Sequence, residues 1–349
     1  MNAPAHALPD AAYLPPSPVA TPRIIPVGET NPGGTDYVGM WYTARLKHGV
    51  DDRMLFGLYE NGTTVPRWYS ASHRYYDGLA ALAMILQGRG VAFPDGLPKG
   101  RDKAQPGWRE LWRAGRQPLS APSAKPLWRD LAPAQEKAEP VMPMPMLLTE
   151  AETAAIETAA KAAGVSSTVW LLWTADRAAR EVLCLPGAVL PWVYPVSLRG
   201  AARCEREGMN HCGGFMVTIA DDMDARAVRE QITARTARLE HWRQWRLLNL
   251  GKLIGQAGIN LVYRLSRGKP GAFAGSYSNL GAWDVPGLEG IIASAPGSPA
   301  YPVCITTAVC NGRRALAIRV HPVADAAGTG AELVLNRWLR LSLGENIAL

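Results

Sequence analysis

The sequence contains little cysteine and no long apolar run. It has five cysteines in 349 residues, an odd number, and none of them stands in a Cys-x-x-Cys pair. That usage predicts no disulfide framework. No run approaches the roughly 18 apolar residues that a membrane span needs, and residues 1–18 lack the basic start and the apolar segment of a signal peptide. Together these absences favour a cytoplasmic protein.

Several common catalytic signatures are also missing. The chain has no Gly-x-Ser-x-Gly elbow, no Walker loop, no Gly-x-Gly-x-x-Gly fingerprint and no His-Glu-x-x-His motif. Cys204, His211 and Cys212 lie close together in the sequence but lack the ligand spacing of a zinc site. No metal site is therefore predicted, and a covalent serine or cysteine mechanism has no obvious nucleophile.

The overall charge is basic and the composition is ordinary. A net charge of +7 suits an anionic partner without identifying one. No nucleic-acid recognition motif occurs, and the tryptophans fall mostly in apolar runs, so nucleic acid is not the predicted partner. A hydrophobic content of 48% and a charged content of 19% are typical of a soluble globular protein. The length allows one large domain or two lobes.

The most informative stretch joins a strand-like run, residues 67–72, to an uncharged apolar run, residues 79–86. Between them stand His73, Asp77 and Gly78. Asp77 is placed to cap the following helix, and Gly78 allows another group to approach the backbone closely. His73 is either a general base held between a buried strand and a buried helix, or a core histidine followed by an ordinary helix cap. The local pattern alone is more typical of the second interpretation.

A resemblance to a known family favours the first interpretation. Residues 73–78, His-Arg-Tyr-Tyr-Asp-Gly, resemble the HxxxDG motif of the thioester-dependent acyltransferases. That superfamily includes chloramphenicol acetyltransferase, peptide-synthetase condensation domains, wax-ester synthases and polyketide-associated acyltransferases. Further similar segments follow in the family's order: a helix–turn–helix over 149–183, a strand ending in Arg199, an Asn-x-x-Gly-type stretch over 210–214, the SNLG stretch Ser278-Asn279-Leu280-Gly281, a hairpin over 303–320 and a final helix over 331–343.

Two features depart from the family pattern. Ser72 stands where condensation domains usually carry a first histidine, although many active acyltransferases keep only the second. The region before His73 is also shorter than usual. The resemblance implies an α/β, two-lobed chloramphenicol acetyltransferase-like fold with a central channel and a shortened N-terminal lobe. The predicted segments are an irregular Pro/Ala-rich arm (1–35), an N-terminal lobe (36–90), a Pro-rich connection between the lobes (91–147) and a C-terminal lobe (148–349).

The resemblance also implies an activity. The donor would be a phosphopantetheine thioester, presented by an acyl carrier protein or as coenzyme A, and the acceptor an alcohol or an amine. No metal and no further cofactor are expected. His73 would act as the general base, and Asp77 would hold its loop through a salt bridge with Arg199. The predicted substrate-binding residues are Gly78, Ser278 and Asn279. The alternative is a non-catalytic relative that binds a carrier protein or an acyl chain.

Local patterns predict several further elements. Residues 37–46 are interpreted as a strand, Asn61-Gly62 as a hairpin turn and Thr149 with Glu152 as a capping box. By composition alone, residues 275–281 are a strand end with a turn. The predicted Pro-rich connection contains Trp108, Trp112 and Trp128, which indicates that it packs on the rest of the protein.

One long basic helix is predicted from a cap at Asp224 to about Trp245. Its arginines, and two beyond them, are Arg226, Arg229, Arg235, Arg238, Arg243 and Arg246. They are interpreted either as a solvated face or as a docking surface for an acidic carrier protein. The segment around Trp242 and Trp245 is an alternative site for peripheral membrane contact, which is not the favoured partner.

Overall fold

The chain is an α/β protein with two β-sheets, as predicted. The computed structural model describes residues 22–28, 37–133, 141–203, 210–266 and 268–345. The strands in these ranges are β1 (Ile24–Pro26), β2 (Arg53–Glu60), β3 (Arg67–Ser72), β4 (Met144–Leu147), β5 (Leu190–Ser197), β6 (Cys212–Ile219), β7 (Gly275–Trp283), β8 (Leu288–Ser294), β9 (Val303–Cys310) and β10 (Arg313–Val320). The helices are α1 (Tyr37–Lys47), α2 (Gly78–Gln87), α3 (Trp108–Gly115), α4 (Glu150–Ala162), α5 (Ser167–Leu183), α6 (Ala225–Ala237), α7 (Glu240–Ser266) and α8 (Gly330–Ser342).

The first sheet has four strands in the order β1-β3-β2-β8. β2 and β3 form the predicted hairpin about Asn61-Gly62, where Gly62 takes a positive φ of 75°. α2 packs on this sheet, and its buried Leu82 and Leu86 join Phe56 in one apolar core. Burying each such side chain contributes about 1.5–3 kcal/mol. The sheet therefore holds α2 firmly beside the end of β3.

β1 corrects part of the prediction for the N-terminal arm. Residues 1–35 were expected to be irregular, but Ile24–Pro26 pairs in parallel with β3. The apolar Ile24 and Ile25 pack against the buried residues of the first sheet, which explains the strand. Residues 1–21 and 29–36 lie outside the described ranges, as does Cys204.

The second sheet has six strands in the order β4-β10-β9-β7-β5-β6. β9 and β10 form the predicted hairpin, in which Asn311 and Gly312 both take positive φ, as a type I′ turn requires. α5 and α8 cover this sheet, and the fully buried Trp192 and Trp338 lie in the core between them. The capping box at the start of α4 is present, with Thr149 and Glu152 bonding reciprocally.

The predicted strand over residues 37–46 is wrong, because this segment is helix α1. Its aromatic and branched residues match strand propensity, but tertiary packing overrides that preference. α1 packs on α7, where Trp41 Nε1 donates to Leu248 O at 3.3 Å and Gln256 Nε2 donates to Met40 O at 2.9 Å. These partners lie about 200 residues away in the sequence, so the local pattern could not reveal them.

The single helix predicted from Asp224 to Trp245 is also wrong. Asp224 does cap α6, but that helix ends at Ala237, and Leu239 takes a φ of 54° before α7 begins at Glu240. Glu240 accepts hydrogen bonds from Arg235 at 2.7 Å and Arg238 at 2.8 Å. These two ion pairs hold the turn, and α7 has a further kink at Gly255, where φ is 62°.

The Pro-rich connection is mostly irregular, with α3 as its one helix in the described residues. Trp128 is buried, and its Nε1 donates to Gly271 O at 2.7 Å. The connection therefore packs on the rest of the protein, as predicted. Trp108 and Trp112 themselves are 59% and 62% exposed. Both are covered by arginine side chains rather than by apolar groups. The division of the chain into four segments stays a prediction.

Within the described ranges, no helix is both long and apolar enough to cross a membrane.

Candidate active site

The first component of the site is the turn that joins β3 to α2. β3 ends at Ser72, whose hydroxyl bonds the carboxylate of Asp52. His73 follows at once, and its backbone N donates to Asp52 O at 2.9 Å. His73 is therefore fixed at its backbone by the strand that precedes it, while its side chain points into the space between the two sheets.

The hydrogen bonds of Asn210 determine which nitrogen of His73 carries the proton. Asn210 Nδ2 donates to the backbone oxygen of His73 at 3.2 Å, so the amide oxygen faces the imidazole. That oxygen lies 3.1 Å from His73 Nδ1. Nδ1 must then be the donor, because a carbonyl oxygen can only accept. Nε2 carries the lone pair, and among the described residues none forms a hydrogen bond to it.

Tyr42 of α1 covers one face of the imidazole. The two rings stack with centroids 4.2 Å apart and planes 17° from parallel. Burial raises the pKa of Tyr42 to about 12, which Arg45 only partly offsets, so the phenol stays protonated at neutral pH. Tyr42 therefore positions the ring and does not compete with it for protons.

The environment of His73 favours the neutral imidazole. Burial lowers its pKa below the ordinary value near 6.5, and the nearby charge of Arg45 acts in the same direction. The hydrogen bond to the backbone of His73 itself, the carboxylate of Asp77 and the hydrogen bond to Asn210 raise the pKa but do not cancel this shift. His73 is thus able to accept a proton at Nε2 across the neutral pH range.

Asp77 is occupied on all sides by protein groups. Its Oδ1 accepts the backbone N–H of Ala80 at 2.9 Å, which makes it the N-cap of α2. Its Oδ2 accepts Arg199 Nη2 at 2.6 Å and the backbone N–H of His211 at 3.0 Å. Asp77 and Arg199 are only 6% and 2% exposed. The carboxylate therefore ties the turn to the segment that follows β5 in the second sheet.

A cavity of about 130 Å³ lies between the two sheets. Five of the six predicted site residues line it, while Arg199 stands behind Asp77 and does not. The lining residues are Met54, Phe56, His73, Asp77, Gly78, Leu79, Pro195, Ser197, His211, Cys212, Ser278, Asn279, Leu280, Ala293, Ser294, Ala295 and Thr306. The lining combines apolar side chains with polar ones, and it includes a second imidazole, that of His211.

Ser278 and Asn279 differ in what their side chains can do. Asn279 Nδ2 donates to Thr168 Oγ1 at 2.8 Å, and its Oδ1 accepts Gly281 N at 2.9 Å, so both ends of the amide are engaged. The hydroxyl of Ser278 has no hydrogen-bond partner among the described residues. The SNLG stretch is a β-bulge within β7 and not a strand end as predicted, since register with β9 shifts between Asn279 and Ala282.

Cys212 is the thiol in the cavity. Burial raises its pKa to about 12, and the nearby Asp77 carboxylate adds to the increase. A thiol with that pKa stays protonated at neutral pH and is a poor nucleophile. Among the described residues, no group of three or more His, Cys, Asp or Glu side chains could hold a metal ion. The imidazole of His73 is the group best placed for proton transfer.

The arginines of the predicted docking helix are engaged within the protein. Arg226 and Arg229 donate to carbonyl oxygens at the end of α4, and Arg243 and Arg246 donate to Leu111 O and Pro106 O. The docking role stays a prediction, since these side chains also tie helices together. Trp242 and Trp245 are 1% and 5% exposed, so these two rings offer no surface to a membrane.

Two residues of the site were missed from the sequence. Asn210 was noted only as part of an Asn-x-x-Gly-type stretch, although that position was the available signal. Tyr42 gave no signal, because its contact with His73 depends on α1, which was interpreted as a strand. Both residues orient the imidazole rather than react.

Comparisons with known proteins identify the fold. No family model and no curated protein matches the sequence. The epimerization domain from the third module of tyrocidine synthetase B is similar, with a TM-score of 0.51 and 10% identity over 89% of this chain and 95% of that one. The first condensation domain of the CDA synthetase is similar with a TM-score of 0.48 and 14% identity, over 98% of this chain and 78% of that one. A trichothecene 15-O-acetyltransferase from Fusarium sporotrichioides has a TM-score of 0.46 and 12% identity, over 92% of this chain and 77% of that one.

The chain thus has the condensation-domain-like fold that the sequence resemblance implied. At 10% identity the likeness establishes the fold alone. The reaction has to be argued from the residues of the cavity.

Proposed function

We propose that the protein is an acyltransferase that moves an acyl group from a phosphopantetheine thioester to a hydroxyl or amine. The observation that carries the proposal is the open Nε2 of His73, whose tautomer Asn210 sets and whose ring lines the cavity between the sheets. A base that is held in one tautomer, with a lowered pKa and an open lone pair, is suited to general-base catalysis.

The proposed reaction needs one proton carrier. His73 Nε2 takes the proton of the acceptor as its oxygen or nitrogen attacks the thioester carbonyl carbon. The carbonyl π electrons move to oxygen, and the tetrahedral intermediate then expels the thiolate. The imidazolium of His73 returns the proton to the thiolate sulfur. The products are the ester or amide and the free thiol, and His73 is restored.

The developing oxyanion needs donors that are already in position. Gly78 is the first residue of α2, and Asp77 caps the N–H of Ala80 rather than that of Gly78. The first N–H groups of a helix have no partner within the helix. Gly78 N–H and Ser278 Oγ are therefore the proposed donors, and the engaged amide of Asn279 is a weaker candidate than the sequence suggested.

The size of the cavity favours a small acyl group. The cavity has a volume of about 130 Å³, and its lining includes the apolar side chains of Met54, Phe56 and Leu280. An engineered apolar cavity of roughly 150 Å³ accommodates benzene. An acyl chain of a few carbons therefore fits beside His73 without displacing these side chains.

The donor is proposed to be carried by an acyl carrier protein or by coenzyme A. Both present a phosphopantetheine arm, and both are anionic, which suits the net charge of +7. An acidic carrier protein would in addition contact basic side chains on the surface of the protein.

The test is product analysis by mass spectrometry. The protein would be incubated with short and long acyl thioesters of coenzyme A, of a carrier protein and of pantetheine, together with alcohols and amines. We expect a new ester or amide with short acyl donors, and loss of that product in His73→Gln. Failure to form product with any donor, or equal turnover in His73→Gln, would contradict the proposal and favour the non-catalytic binding protein.

A further inference from the structure

The distal part of α7 exposes an unusual amount of apolar surface. Half of the fourteen large hydrophobic side chains that are exposed in the described residues belong to this one helix. They are Leu247 (66%), Leu250 (44%), Leu253 (82%), Ile254 (50%), Leu261 (49%), Val262 (40%) and Leu265 (76%), and together they are called the α7 apolar face. Exposed apolar side chains that are concentrated in one place mark an interaction surface.

This face is separate from the contact that holds α7 in the fold. The kink at Gly255 brings Gly251 and Ile259 toward one another, and both are buried. An added Cβ at Gly251 would lie 3.0 Å from Ile259 Cδ1 and 3.3 Å from Trp41 Nε1, so this side of α7 packs on α1. The seven residues of the α7 apolar face are those left outside this packing.

The charges on α1 and on α7 beyond Glu240 are of one sign. The sequence has no Asp or Glu from residue 241 to 283, and none in α1. Lys252 and Arg264 are exposed on α7, and no carboxylate pairs with either among the described residues. Lys47 and Lys269 are exposed as well, and His48 at the end of α1 stacks on Tyr263 at 5.5 Å, which brings that end of α1 beside Arg264.

We propose that the α7 apolar face binds the surface of an anionic lipid bilayer. An amphipathic helix with apolar and basic side chains inserts its apolar face among the headgroups, and its cations bind the anionic lipids. A second copy of this chain fits less well, because it would bring the same uncompensated cations against each other. An acidic carrier protein would match the cations but would leave seven large apolar side chains without a matching partner surface.

The test is co-sedimentation with lipid vesicles, which does not depend on enzymatic activity. The full chain would be mixed with vesicles of phosphatidylcholine alone and of phosphatidylcholine with phosphatidylglycerol. We expect binding to the anionic vesicles and much weaker binding to the neutral ones, with a fall in affinity as salt is raised. No binding of the wild-type chain to anionic vesicles would overturn the proposal.

Two sets of variants separate the apolar and the ionic contributions. The apolar variant, Leu253→Asp with Leu265→Asp, should lower vesicle binding at least tenfold. The charge-reversal variant, Lys252→Glu with Arg264→Glu, should lower vesicle binding by more than about fivefold for each cation that is reversed. The matched control is Leu333→Asp with Leu185→Asp, which alters residues that are 55% and 47% exposed elsewhere and should leave binding unchanged. Equal binding of all variants would contradict the assignment. If the aspartate variant fails to fold, the charge-reversal variant still tests it.

Other partners give different results in the same set of proteins. If the α7 apolar face joined two copies, the wild-type chain would sediment as a dimer and Leu253→Asp with Leu265→Asp as a monomer, without binding vesicles. If it bound a carrier protein, the same variant would lose turnover with carrier-bound donors and keep turnover with pantetheine thioesters. Either result would overturn the membrane proposal without bearing on the proposed chemistry.

Discussion

His73 and Asp77 lie four residues apart on one turn, but their surroundings are opposite in kind. The carboxylate of Asp77 accepts three hydrogen bonds from protein groups and is 6% exposed. The imidazole of His73 uses Nδ1 within the protein and leaves Nε2 facing the cavity. A motif that forms one continuous unit in the sequence is therefore divided into a half engaged within the protein and a half that we propose to be reactive.

This difference predicts which variants should lose stability and which should lose activity. A buried group that accepts several hydrogen bonds contributes to stability, and removing it leaves buried partners without compensation. A group with one open atom contributes to chemistry, and removing it costs little folding energy. The two halves can thus be told apart by measuring stability and activity in the same variants.

The largest effect is expected at the buried ion pair. Asp77→Ala and Arg199→Ala should each lower the free energy of unfolding by about 3–5 kcal/mol, because each leaves its partner buried and unpaired. Chemical denaturation of both single variants and the double variant measures the coupling. The more exposed pair Arg337–Glu181, with side chains 27% and 48% exposed, is the control, with coupling of about 0.2–1 kcal/mol. Additive losses at Asp77 and Arg199 would contradict the division.

The next effect is expected at the reactive half. His73→Ala should lower kcat/KM by about 10²–10⁴, the range for loss of a general base. Its free energy of unfolding should fall by less than that of Asp77→Ala, because His73→Ala leaves no buried charge unpaired. Steady-state kinetics and denaturation of the same preparation measure both. A His73 variant that unfolds as readily as Asp77→Ala would show that the histidine is structural.

A smaller effect is expected at the residue next to Asp77. Gly78→Pro removes one N–H at the first position of α2, where proline is tolerated, and Asp77 already has the extended backbone that precedes proline (φ −81°, ψ 173°). We expect kcat to fall by about 10²–10³ with little change in stability. Gly78→Ala is the control, since it also adds a Cβ near Leu280 Cδ2, at 3.2 Å, but keeps the N–H. Equal kinetics of the two variants would exclude Gly78 N–H as a donor.

The smallest effect is a shift along the pH axis. Burial lowers the pKa of His73, and the base must be unprotonated, so the acid limb of kcat/KM should lie below about pH 6.5 in the wild-type protein. Asn210→Asp places a carboxylate beside Nδ1, favours the imidazolium and should move this limb to higher pH. Tyr42→Phe keeps the stacked ring and should leave the limb in place. A pH–rate profile that does not change in Asn210→Asp would remove Asn210 from its assigned role.

Local signals predicted the elements that are stabilised locally. The Asn-Gly turns at 61–62 and 311–312, the capping box at Thr149 and the cap at Asp77 each depend on residues within four positions of one another. Five of the predicted site residues line the cavity. They were taken from motifs of a family whose fold this chain shares, so the fold brings them together.

Most of the wrong predictions concern features that depend on residues far away in the sequence. α1 is helical because it packs on α7, about 200 residues away. The break at Leu239 is the exception, since it is fixed locally by Arg235 and Arg238 bonding to Glu240, and nothing about a leucine signals a positive φ. Asn210 could be recognised as an imidazole partner only after β3 and β6 had been brought together.

The first sheet has a consequence for the order of events during synthesis. β8 pairs with β2, although roughly 230 residues separate them in the chain. At about 5–20 residues per second, a ribosome needs roughly 10–45 s to make that interval. Throughout this time the outer edge of β2 lacks its partner, and its backbone groups can pair with other chains. We therefore expect the nascent protein to bind chaperones during this time. We also expect its first half, expressed without residues 288–294, to be recovered as aggregate.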